Sequence, residues 1–114
     1  MMLELAAVAV KVSDGRNAAE WYREKLGFEV RGEEGHWVVV APSGSKTSIH
    51  LCEADGLEPG NTGILFTTPG IAAAVEELKA KGVRLTKELT ERPWGRYVMF
   101  ADPDGNEFCL TSGS

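Results

Sequence analysis

Within 114 residues the order strand, helix, strand, strand, strand occurs twice, and this repetition limits the fold more than any single motif does. In the first copy, residues 3–12 alternate, with Ala6, Val8, Val10 and Val12 on one side and Leu5, Ala7, Ala9 and Lys11 on the other, which predicts a strand. Ser13, Asp14 and Gly15 then offer capping groups. Ala18, Trp21, Tyr22, Lys25 and Leu26 follow at helical spacing, so a helix is predicted over 17–26, closed by Gly27. Strands are predicted at 28–31, 36–41 and 47–52, separated by Gly- and Ser-containing turns. The second copy has a strand at 63–67 and a helix opened by Pro69-Gly70, with Ile71, Ala74, Val75 and Leu78 on one face and Gly82 at its end. Strands at 83–86, 96–100 and 107–111 complete it. Module one thus spans 3–54 and module two 61–112, joined by an acidic linker over 53–62 with Gly56, Pro59 and Gly60.

The expected class is α+β: a single domain over 1–114 in which two pseudo-symmetric β-α-β-β-β modules form a cup-shaped mixed sheet with the helices on its convex side. The concave side would be a ready cleft. Inside module two, Asp102-Pro103-Asp104-Gly105-Asn106 specifies a turn: Asp102 can bond forward to the backbone, Pro103 presets φ and Gly105 tolerates the exit geometry. The strands on either side alternate. Val98, Phe100, Phe108 and Leu110 belong to one face, and Tyr97, Met99, Glu107 and Cys109 to the other.

This closing hairpin, with Ala7-Val8-Ala9-Val10-Lys11-Val12-Ser13-Asp14 and Trp21-Tyr22-Arg23-Glu24-Lys25-Leu26-Gly27-Phe28 in the same order and spacing, resembles the vicinal oxygen chelate superfamily over residues 5–111. That superfamily includes glyoxalase I, the bleomycin-resistance proteins and the extradiol dioxygenases. The resemblance implies one divalent metal held by four cup-facing positions, at the start of each module's first strand and on the last strand of each module. Carried onto this chain, those positions are Ala7, His50, Gly63 and Cys109. A divalent ion needs imidazole or carboxylate donors, and Ala7 and Gly63 have none. No metal or other cofactor is therefore expected. A divalent metal recruited through His50 and Glu107 is the alternative, because Glu107 shares a face with Cys109.

His50 also has plainer readings, as a hydrogen-bonded strand histidine or a cavity liner, and a third as a general base. His36 reads as a surface residue. Cys52 and Cys109 read as separate buried thiols rather than as a disulfide. Trp21 and Tyr22 suit the core face of the first helix. Trp94, in a loop entering a cup-lining strand, and Tyr97 could stack on a flat ligand.

With 12 basic and 17 acidic residues the net charge is −5, and no Lys or Arg run appears, which argues against nucleic-acid and anionic-membrane partners and favours a cationic ligand. No apolar stretch reaches the roughly 18 residues of a membrane span, so a cytoplasmic location is expected. A chain this short buries only about two-thirds of its unfolded surface, so a homodimer is expected to complete the clefts. The function these features suggest is metal-free binding of a small aromatic or cationic molecule through His50, Trp94, Tyr97, Met99 and Cys109, of the antibiotic-resistance type that the resemblance implies. The rival is a metal-dependent lyase, isomerase or dioxygenase.

Overall fold

The computed structural model describes residues 1–2, 5, 7–34, 37–53, 58–93 and 95–112, with only the backbone of 34 and 37. His36 and Trp94 lie outside the described residues. The chain divides into two compact units, Met1–Pro59 and Gly60–Ser114.

In the first unit, β1 (Ala7–Lys11) leads into α1 (Gly15–Leu26), followed by β2 (Glu29–Glu34), β3 (Trp37–Ala41) and β4 (Ser48–Cys52). The sheet order is β1-β4-β3-β2, with β1 parallel to β4 and the other pairs antiparallel. Helix α1 starts two residues before its predicted start. The Asp14 carboxylate accepts hydrogen bonds from the backbone N–H groups of Arg16 and Asn17, both at 3.1 Å, so the turn at Gly15 is already helical. Gly27 ends the helix at φ 72°, its N–H donating to the Arg23 carbonyl. Gly15 packs closely: a Cβ there would lie 3.1 Å from Val38 Cγ2 and 3.3 Å from Glu53 Oε2, which accepts from the Gly15 N–H at 2.8 Å, so a larger residue would push on both.

The core of this unit forms where Ala18, Ala19 and Tyr22 of α1 meet Val10, Val38, Val40, Ile49 and Leu51 of the sheet. Tyr22 is wholly buried, with ring contacts to Trp21 at 5.1 Å and Phe28 at 5.8 Å. Each large apolar side chain so buried contributes about 1.5–3 kcal/mol.

The second unit repeats the plan. It runs β5 (Asn61–Thr67), α2 (Ile71–Ala80), β6 (Arg84–Arg92), β7 (Gly95–Ala101) and β8 (Glu107–Thr111), and its sheet order is β5-β8-β7-β6 with β5 parallel to β8. Ile71, Val75 and Leu78 of α2 are buried, as are Val98, Phe100, Phe108 and Leu110 of the sheet. Phe66, Phe100 and Phe108 form a ring cluster with centroids 5.5–6.2 Å apart. Four strands are longer than the sequence predicts: β2 runs to Glu34 rather than 31, β5 begins two residues earlier, β6 extends to Arg92 rather than stopping near 86, and β7 gains a residue at each end.

The turn over 102–106 goes beyond its expected role. Asp102 Oδ1 accepts from the N–H groups of Asp104 (3.0 Å) and Asn106 (2.8 Å), and Oδ2 accepts from Asn106 Nδ2 at 2.9 Å. Asn106 Oδ1 in turn accepts from the Gly60 N–H, and the Gly60 carbonyl accepts from the Glu107 N–H. Asn106 is 1% exposed and so couples the hairpin to the entry of β5. Deleting a buried partner of a charged group costs about 1.5–3 kcal/mol. Asn106→Ala should therefore lower the midpoint of thermal unfolding by roughly 6–15 °C.

Candidate functional site

Alternation along β4 and β8 fixes which side chains leave the helix-covered face. On β4, Ile49 and Leu51 are buried beneath α1, so Ser48, His50 and Cys52 belong to the other face. The register sets His50 between Ala9 of β1 and Val39 of β3, with Gly32 of β2 beyond Val39. His50 is half-buried, its Nε2 is shielded from solvent, and its own row supplies no carboxylate. Ala7 pairs with Ser48, whose hydroxyl accepts from Arg31 at 3.5 Å.

In the second unit the corresponding face carries three rows across the strands. One is Leu65, Cys109, Met99 and Lys87; a second is Thr67, Thr111, Tyr97 and Thr90; a third is Asn61, Glu107 and Ala101. Met99 and Cys109 are thus direct neighbours, with Tyr97 one row along. The structure brings these three predicted residues together on one sheet and places His50 on the sheet of the other unit.

Gly63 lies in an irregularity of β5, where Asn61 opposes Glu107 and Leu65 opposes Cys109. The backbone there has φ 72°; the Asn61 side-chain oxygen accepts from the Gly63 N–H, and the Thr62 hydroxyl accepts from the Ile64 N–H while donating to the Glu107 carbonyl. This position presents backbone rather than a donor side chain.

The residues do not fit a family-type metal centre. Ala7 and Gly63 offer no donor atom, and among the described residues no three His, Cys, Asp or Glu side chains cluster as a ligand set. Burial raises the Cys109 pKa above the ordinary thiol range, so at neutral pH the uncoordinated group stays a protonated, soft, polarisable thiol rather than a nucleophilic thiolate. Both cysteines are thiols.

Two side chains absent from the sequence reading join this face. Lys87 Nζ lies 5.9 Å from the centre of the Tyr97 ring, and the Arg92 guanidinium carbon lies 5.8 Å from it. They were hidden because β6 is largely exposed and polar, so its hydrophobic alternation fades after Leu85. The one available signal was spacing: Lys87 and Arg92 flank the positions that can pair with Tyr97 once the strand is extended.

A family model for the Glyoxalase/Bleomycin resistance protein/Dioxygenase superfamily matches residues 4–110. The chain belongs to this superfamily. It is 33% identical to the Bacillus subtilis (strain 168) protein YetH, the match covering 96% of this chain and 98% of that one. Among solved structures it is similar to a superfamily member from Sphaerobacter thermophilus DSM 20745, at 34% identity and a TM-score of 0.87, covering 96% of this chain and 97% of the other. It is also similar to TnmS3, an antibiotic binding protein from Streptomyces sp. CB03234, at 33% identity and a TM-score of 0.89, covering 99% and 98% of the two chains. No helix among the described residues is long and apolar enough to cross a membrane.

The sign of the Cys109 shift gives a test. A folded-state pKa above the unfolded value means that the native protein holds the proton more tightly, so stability falls as pH rises through the thiol range. Urea unfolding from pH 7 to 10 should show this decline, flattened in Cys109→Ala. In a Cys52→Ser background, alkylation by iodoacetamide should accelerate only at a pH above that of free cysteine.

Proposed function

We propose that this superfamily member binds a small aromatic molecule reversibly, without a resident metal and without turning it over. The observation that carries this reading is the row Leu65, Cys109 and Met99 beside Tyr97: apolar, sulfur-bearing and aromatic side chains, on the sheet face turned away from α2. Such groups supply dispersion and ring stacking rather than proton transfer. The donor-free positions Ala7 and Gly63 support the same reading, since Lewis-acid activation in this superfamily would need them. The similarity to TnmS3, described as an antibiotic binding protein, agrees with it.

Within this proposal Tyr97, Met99 and Cys109 contact the ligand, with His50 and Trp94 as further contributors. The assembly is a homodimer. Leu65 is 61% exposed and Leu5 70% exposed, which leaves apolar surface for a second copy or a ligand to cover. Light scattering should then return twice the chain mass.

The functional test is calorimetry of the chelator-treated protein against bleomycin, mitomycin and polyaromatic compounds. At least one aromatic compound should bind and be recovered unchanged, and Tyr97→Ala should weaken it at least about fivefold, the loss of one stacking contact. The absence of binding across the set refutes the reading, and conversion of the ligand would replace it with the enzymatic alternative.

A further inference from the structure

The cations around Tyr97 narrow the class of ligand. Lys87 Nζ and the Arg92 guanidinium both lie within 6 Å of the ring centre, a distance at which a cation is held by an aromatic face. Both side chains are exposed, and neither is ion-paired to a described residue. Among the described residues Arg92 donates to the Glu91 carbonyl, at 3.2 Å.

The nearby carboxylates do not offset them. Glu88 is drawn toward α2 by Lys79, 3.3 Å away. Glu91 pairs in register with Arg96, one residue out of phase with the Thr90–Tyr97 pair, and so belongs to the opposite face. Glu107 shares the face, two residues from Cys109 and four from Thr111 along β8, so it stands roughly 7 Å along the strand from the Lys87 row and about 13 Å from the Tyr97 row, with β7 between it and both cations. The remaining neighbours in the two rows are Thr67, Thr90, Thr111, Leu65, Met99 and Cys109, with the thiol protonated. A chain of net charge −5 thus carries a locally positive, aromatic-centred patch.

We infer that Lys87 and Arg92 select aromatic acids, so that the ligand is a planar aromatic molecule bearing a carboxylate or equivalent anionic group. The inference rests on the binding reading above and adds the sign of the ligand's charge. The aromatic plane lies along Tyr97, Met99 and Cys109, where contact is apolar. The anionic substituent takes the two cations, neither of which is ion-paired to a described residue. A cationic ligand of the same shape meets like charges at the same place, and that repulsion disfavours it.

The test uses three probes of one shape at pH 7 and low salt: an anthracene carboxylate, the neutral anthracene carboxamide and the protonated aminomethyl anthracene. Affinities are read by fluorescence titration. The carboxylate should bind about tenfold tighter than the carboxamide and tighter still than the ammonium compound, and the preference should shrink with added salt. In Lys87→Gln/Arg92→Gln the carboxylate should lose that tenfold advantage while the carboxamide changes by less than about twofold. Lys81→Gln, a charge change beside Glu77 at the end of α2, should leave the ranking as it is. Equal affinities, or a preference for the ammonium compound, overturn the inference and leave the binding reading standing. Failure of all three probes, together with failure of the wider set of aromatic compounds, overturns both.

Discussion

The structure depends on a constraint of period two. In each unit the last strand buries alternate residues, Ile49 and Leu51 in the first and Phe108 and Leu110 in the second. A slip of one residue would expose these side chains and bury His50 or Cys109 instead, at a cost of several large apolar burials. The positions available for contact with a ligand are therefore set by the hydrophobic core rather than by the site. His50, Cys109, Met99 and Tyr97 stand where they do because their neighbours must be elsewhere.

The second sheet adds a polar lock to this apolar constraint. Asp102 and Asn106 tie the β7-β8 hairpin to itself, and Asn106 extends the tie to Gly60 at the entry of β5. Because β5 pairs with β8 in parallel, its register cannot be set by a short turn between them. The buried amide does that work from the side. The irregularity at Gly63 then lets β5 begin opposite Glu107 and still place Leu65 opposite Cys109 and Phe66 among the core rings.

Most of this architecture is written in local pattern. The two glycine-ended helices, the alternation around the closing hairpin and the repeat itself are legible because each is a short-range signal carrying a strong penalty for error. Strand β8 and the helix faces of Ile71, Val75 and Leu78 follow directly. What escaped is nonlocal or polar. The extension of β6 to Arg92 shows no hydrophobic alternation, since that exposed strand is stabilised by pairing with β7 rather than by burial. Lys87 and Arg92 were invisible as site residues for that reason. The role of Asn106 was likewise hidden, because its partner Gly60 lies 46 residues away.

The site follows from subtraction as much as from addition. On the proposed reading, Ala7 and Gly63 offer no donor to an ion, and the side chains that remain are suited to dispersion, stacking and charge pairing. The central claim is that the chain holds its ligand without the help of an ion. It is tested most directly by equilibrium dialysis of one bound aromatic compound against metal-stripped protein, repeated after adding excess zinc, nickel, manganese or iron. Dissociation constants that agree across all five conditions, with the compound's mass unchanged, are the predicted result. Binding that appears only when one of the ions is present, or a compound altered on recovery, would contradict it.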